Sequence, residues 1–210
     1  MARIPRSSPS QLETMANFKQ NNTLILASSS PRRQALLLEA CYSIIVQEPS
    51  DFAEDQHQKG ESAEDFVKRQ AIQKTEDVAR RNSSGVILGC DTVACFQDAI
   101  LGKPNDRDHA QQILETLRGH QHTVLSGICL WHRPSNRTIV RCIETTLFFD
   151  NVSDDALQQY LATNKWQGKA GAFGYQDGWD WLHIVHGSPS NVVGLPLEAL
   201  TEMLADIETR

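Results

Sequence analysis

The chain has 210 residues, 40% hydrophobic and 22% charged, with a formal net charge of −6 at pH 7. That balance suits a soluble globular protein with a full core. It excludes a broad basic face for duplex nucleic acid, so an anionic ligand would need a local basic pocket. No apolar run approaches the roughly 20 residues of a membrane span.

Residues 1–22 are polar and aperiodic, with Pro5, Ser7, Ser8 and Pro9 and no apolar signal core. They are expected to form a flexible tail ahead of one domain over 23–210. Five cysteines, Cys41, Cys90, Cys95, Cys129 and Cys142, include no CxxC pair. Most fall in apolar runs, so buried free thiols in a reducing, cytoplasmic setting are expected.

Strands and helices then alternate. Thr23–Ala27 is a strand candidate. Ser28-Ser29-Ser30-Pro31-Arg32-Arg33 leads from it into a helix over Pro31–Ala40, with Ser30 as cap and Pro31 at the first helical position. A helix start exposes unpaired N–H groups; three hydroxyls and two guanidiniums beside them make a seat for phosphate, or an ordinary strand–helix junction. Ser43–Val46 is a short strand, and Glu48–Gly60 an acidic loop. Glu61–Arg81 carries the apolar stripe of a long helix, started by a Ser62/Asp65 pair. Lys74 flanks that stripe, either as a functional group or as a lysine at a core edge.

Gly85–Cys90 is a buried-strand run ending at Asp91, with Thr92–Phe96 continuing extended and a turn at Gln97-Asp98. Ligands of α/β sheets gather at strand C-terminal ends, where a carboxylate can hold a metal or activate water. Gly102-Lys103-Pro104 places a lysine past that turn. A helix over Asp106–Leu117 ends at Gly119, and Thr123–Trp131 with Thr138–Phe149 forms a hairpin. After a Ser153–Ala162 helix comes a glycine-rich aromatic stretch, Gly168–Gly187. Within it, Lys169–Gln176 combines small residues, which permit close approach of a base, with the Gln176 amide, which can read a base edge. A Leu195–Ile207 helix closes the chain. The pattern predicts an α/β fold with a mixed sheet. There is no GxxxxGK[ST] loop or GxSxG elbow, and His120 with His122 lacks the companions of a zinc site. A Cys–His nucleophile stays open.

Five blocks, taken together and in order, resemble the Maf family of nucleoside triphosphate pyrophosphatases: Ala27–Arg33, Gly89–Val93, Leu101–Pro104, Lys169–Gln176 and Gly187–Leu197. The resemblance spans about Leu24 to Leu204. It implies an elongated mixed sheet flanked by helices, with two lobes around a cleft, as in inosine-triphosphate pyrophosphatases. It also implies cleavage of a nucleoside triphosphate to monophosphate and pyrophosphate with Mg²⁺ or Mn²⁺, in a homodimer that binds neither nucleic-acid polymer nor membrane.

By the same resemblance, Asp91 is the proton acceptor, and Asp91 with Glu54 holds metal. Arg32, Thr92 and Gln176 set substrate choice and match the dTTP/UTP type. Ser28, Ser30, Arg33, Lys74, Lys103 and Lys169 bind substrate. The chain departs from the family pattern at Ala53, Thr75, Tyr175 and Asp177, and by Trp179-Asp180-Trp181. Two alternatives accompany this expectation: a pyrophosphatase for modified or methylated nucleotides, and a non-catalytic nucleotide-binding regulator of cell division.

Overall fold

A long central strand, Gly85–Phe96, buried on both faces for most of its length, organises the chain. The computed structural model describes residues 23–50, 57–97 and 99–208, so the expected tail over 1–22 lies outside the described residues. In chain order the elements are β1 (Thr23–Ala27), α1 (Pro31–Glu39), β2 (Ser43–Val46), α2 (Ala63–Ala79), β3 (Gly85–Phe96), β4 (Ala99–Leu101), α3 (Arg107–Leu117), β5 (Gln121–Arg133), β6 (Arg137–Phe149), α4 (Asp154–Ala162), a 3-10 turn (Ala170–Ala172), β7 (Leu182–His186), α5 (Pro189–Val193) and α6 (Leu197–Glu208).

The strands form one seven-stranded mixed sheet in the order β2-β1-β3-β5-β6-β7, with β4 paired to β3. β1 runs parallel to both β2 and β3, and the remaining pairs are antiparallel. β5 and β6 have 13 residues each, or roughly 44 Å at strand rise, which makes the sheet elongated.

Alternation along the strands divides the core. Leu24, Leu26, Val86, Leu88, Ile128 and Leu130 pack beneath α1 and α6. Ile25, Ala27 and Ile87 face the opposite way, against Val78 and Ala79 of α2. Covering both faces explains why Val86–Cys90 is an unbroken buried run. Beyond it the burial relaxes at Asp91 and Thr92. A second lobe gathers around α3, α4 and β7, where Ile113, Leu114, Phe149, Tyr160, Leu161 and Phe173 form its centre.

Side-chain caps start three of the described helices. The Ser62 hydroxyl accepts from the Asp65 N–H at 3.0 Å and donates to the Asp65 carboxylate at 2.7 Å. Ser153 accepts from Ala156 N–H at 3.2 Å. Ser30 differs from expectation: it sits at the cap position but its side chain makes no cap hydrogen bond. The Ser28 hydroxyl instead accepts from the Ser30 N–H at 3.1 Å. The final helix starts at Leu197 rather than Leu195, because the separate short helix α5 precedes it.

One buried histidine couples the fold to pH. His122 is 6% exposed in β5, and burial pulls its pKa from 6.5 down to about 4. The unfolded chain binds this proton below about pH 6.5 and the folded chain only below about pH 4, so stability rises with pH across that window. Lowering the pH from 7.5 to 5 is expected to remove about 2 kcal/mol through this group. Urea titrations at the two pH values should show that loss, and His122→Leu should abolish this component.

Candidate active site

β3 changes neighbours in mid-course. One edge pairs with β5 from Gly85 to Cys95. The other pairs with β1 only as far as Gly89 and with β4 only from Ala94. Among the described residues no strand flanks 90–93 on that edge, and there the sheet opens into a cleft of about 760 Å³. Asp91 therefore lies inside a continuous strand, not at its end as expected; what ends is the pairing with β1.

Successive strand residues point to opposite faces, so Asp91 and Thr92 serve opposite walls. On the α2 side the Lys74 ammonium is ion-paired with Asp91 Oδ1, and both side chains are about 15% exposed. Lys74 reaches Asp91 because α2 lies tight on the sheet. A Cβ at Gly89 would stand 2.1 Å from Thr75 Oγ1 and 2.6 Å from the Ala71 carbonyl oxygen; one at Gly127 would stand 2.1 Å from the Val67 carbonyl oxygen. Thr75 is fully buried, with its hydroxyl satisfied by the Ala71 carbonyl at 2.7 Å. That departure from the family pattern leaves no orphaned polar group.

On the other wall, Arg33 is pinned by three bonds. Its Nε donates to the Gly194 carbonyl at 2.8 Å, Nη1 to Ser28 Oγ at 3.2 Å and Nη2 to Thr92 Oγ1 at 3.2 Å. Thr92 Oγ1 also lies 2.8 Å from Ser126 Oγ and 3.2 Å from the Gly194 carbonyl oxygen. The Thr92 hydroxyl, expected to help set substrate choice, is thus engaged with protein partners.

The third wall is the segment 168–177. Arg32 Nη2 donates to the Gly168 carbonyl at 3.2 Å, linking the two lobes. Lys169 Nζ lies 2.5 Å from both carboxylate oxygens of Asp177. Tyr160 donates its phenol proton to Asp177 Oδ2 at 2.8 Å. Burial, then that carboxylate, push the Tyr160 pKa above its ordinary 10, keeping it a donor. Trp179 and Trp181 pack against this lobe's core, with Trp181 stacked on Phe173 at 5.8 Å. Gln176 and Tyr175 are exposed on the rim.

The cleft brings together the described residues that sequence reasoning singled out. Ser28, Ser30, Arg32 and Arg33 come from the β1–α1 junction, Lys74 from α2, and Asp91 and Thr92 from β3. Lys103 follows β4, and Lys169 and Gln176 come from the glycine-rich segment. Glu54 and Ala53 lie outside the described residues.

Sequence reasoning gave no site role to Ser126 or Asn191, and met Asp177 only as a departure from the family pattern beside Gln176. Asn191 is fully buried and donates to the Val124 and Ile143 carbonyls, each at 3.2 Å, anchoring the segment that carries Gly194. An Asn two residues past a proline is too common a signal to have revealed it.

Burial raises the Cys95, Cys129 and Cys142 thiols to about 11 and pushes Cys90 up as well. These protonated thiols make poor nucleophiles. His120 is exposed while His122 is buried, so the pair shares no environment.

Among the described residues no cluster of three or more His, Cys, Asp or Glu side chains forms a cage for a metal. The donor set fits a hard cation shared with phosphate, which needs only one or two protein carboxylates. Asp91, which lines the cleft, could serve as one such carboxylate.

A family model described as "Maf-like protein" matches residues 23–207. A protein of Rhodopirellula baltica named dTTP/UTP pyrophosphatase is 46% identical over 187 residues, covering 89% of this chain and 82% of that protein. A Clostridium kluyveri protein of the same name is 36% identical, covering 87% of this chain and 96% of its own length. A solved structure of a HAM1 protein from Coxiella burnetii aligns with 88% of this chain and 99% of its own, at 13% identity and a TM-score of 0.47.

Proposed function

The chain belongs to the Maf family, and from that membership we infer that it hydrolyses a nucleoside triphosphate, dTTP and UTP first, to the monophosphate and pyrophosphate. One observation carries this reading: a carboxylate, Asp91, faces a cleft that is also lined by Arg32, Arg33, Lys74 and Lys103. An acid for water and cations for a polyphosphate are the parts that phosphoryl transfer needs.

Water attacks the α-phosphorus, its proton passes to Asp91, and pyrophosphate leaves. Lys74 holds the Asp91 carboxylate in place before substrate arrives. Arg33, locked by Gly194, Ser28 and Thr92, offers fixed positive charge that costs no reorganisation during the reaction. Arg32 and Lys103 extend that charge along the triphosphate, with Ser28 and Ser30 at the helix start. Thr92 acts on substrate choice through Arg33, whose fork it positions, while Gln176 addresses the base directly. Lys169 contacts the substrate on the opposite wall.

Asp91 and, by the resemblance, Glu54 would hold Mg²⁺ or Mn²⁺. The bound ion supplies charge screening between the phosphates and the two acids. A homodimer in the cytoplasm completes the proposal, and sedimentation equilibrium tests the dimer. No described helix is long and apolar enough to cross a membrane.

The deciding experiment measures pyrophosphate release from a nucleotide panel, with and without Mg²⁺ and Mn²⁺. Fastest turnover of dTTP and UTP is expected, with loss of activity on chelation. Faster cleavage of modified or methylated nucleotides would shift the substrate class, and no product from any triphosphate would overturn the enzyme reading.

A further inference from the structure

We propose that Asp177 reads the nucleobase: its carboxylate accepts a hydrogen bond from a ring N–H of the substrate, and Lys169 donates to the carbonyl beside it. This rests on reading the cleft as a nucleotide site. Three observations carry it.

First, Lys169 is held by Asp177 rather than presented alone, with Nζ 2.5 Å from both carboxylate oxygens. The pair has no net charge to offer a triphosphate, so this wall suits the uncharged end of a nucleotide. An acceptor beside a donor complements an imide edge, where N–H adjoins C=O.

Second, the carboxylate is built in place. Tyr160 donates to Oδ2 at 2.8 Å, and the Asp177 N–H donates to the Gly174 carbonyl at 3.0 Å, closing a tight turn. A Cβ at Gly174 would stand 2.5 Å from both Asp177 Oδ2 and Lys169 Nζ, so the pair packs closely over that glycine. Only 12% of the Asp177 side chain is exposed, and the residue lines the cleft beside Gln176.

Third, a second cleft carboxylate, Asp91, is paired with Lys74 from α2. The two acid–lysine pairs come from different lobes, which separates a reacting end from a reading end.

The test compares UTP, N3-methyl-UTP and 3′-deoxy-UTP as substrates for the natural protein and for Asp177→Ala. The natural protein should lose roughly ten- to a hundredfold in kcat/KM when N3 is methylated, the range for a hydrogen bond to a charged group. Asp177→Ala should raise KM for UTP by a similar factor without raising it for N3-methyl-UTP, so that the two substrates converge. Equal cleavage of UTP and N3-methyl-UTP by the natural protein overturns the proposal, whatever the variant does. So does a parallel loss on both substrates in Asp177→Ala, which would mark a structural role. A loss confined to substrates bearing the 3′-hydroxyl assigns the acceptor to the sugar and overturns the base contact. Failure of the enzyme reading itself would look different: no pyrophosphate from any of the three nucleotides.

Discussion

Asp91→Asn should reduce kcat for pyrophosphate release from dTTP by roughly 10²–10⁴, the usual contribution of a general base. The substitution keeps the shape of the side chain and a hydrogen-bonding oxygen for Lys74, but removes the negative charge and the basicity. Asp91 is about one-sixth exposed and faces a solvent-open cleft, so the variant should keep its fold, and a thermal melt close to the natural protein's would show that. A folded Asp91→Asn with near-normal turnover would sink the assignment. The comparison is informative because α2 and β3 meet at Lys74 and Asp91, and an isosteric change removes the charge while keeping the side chain's shape.

The largest stability effect is expected at a residue with no side chain. Gly127→Ala would place a methyl group 2.1 Å from the Val67 carbonyl oxygen and 2.3 Å from its carbon. Those atoms belong to helix backbone, which cannot rotate aside as a flexible side chain would. α2 must lift off the sheet, at a cost of about 3 kcal/mol, the upper end for overpacking a close-packed site. For a chain of this size that corresponds to a fall in Tm of roughly 6–12 °C. Because α2 carries Lys74, the same displacement should separate Lys74 from Asp91, so activity should fall below what the surviving folded fraction predicts. A melting curve unchanged within 1–2 °C would mean that α2 does not sit this closely.

Much of the fold was legible because its signals are local. A run of buried residues from Val86 to Cys90, a Ser62 cap with Asp65 three residues on, and apolar spacing along α2 are all set within one or two helical turns or one strand. Elements that depend on distant partners were not legible. β4 has three residues and exists as a strand because β3 is beside it. β7 is paired to β6 through a register shift between Thr146 and Leu147, which no short-range pattern encodes. The short helix α5 is placed by Asn191, whose side chain bonds backbone carbonyls of β5 and β6.

The candidate site divides in the same way. The chain itself determined which chemical groups are available, namely a carboxylate beside a buried strand, paired arginines at a helix start, isolated lysines after turns and a small-residue segment rich in aromatics. Each is a property of a few neighbouring residues and survives being read one segment at a time. Only the tertiary structure decided which of them touch. Strand alternation sent Asp91 and Thr92 to opposite walls, and a helix seated on two glycines delivered Lys74 to the first. A carbonyl at Gly194 fixed Arg33 beside the second. The Asp177–Lys169 pair spans one turn of chain, yet the carboxylate's place in the cleft depends on Tyr160 from α4 and on the packing of a second lobe. Contacts between segments far apart in sequence arise from the sheet order and the depth of helix packing, and those are collective outcomes of burying both faces of β3, which no single segment specifies.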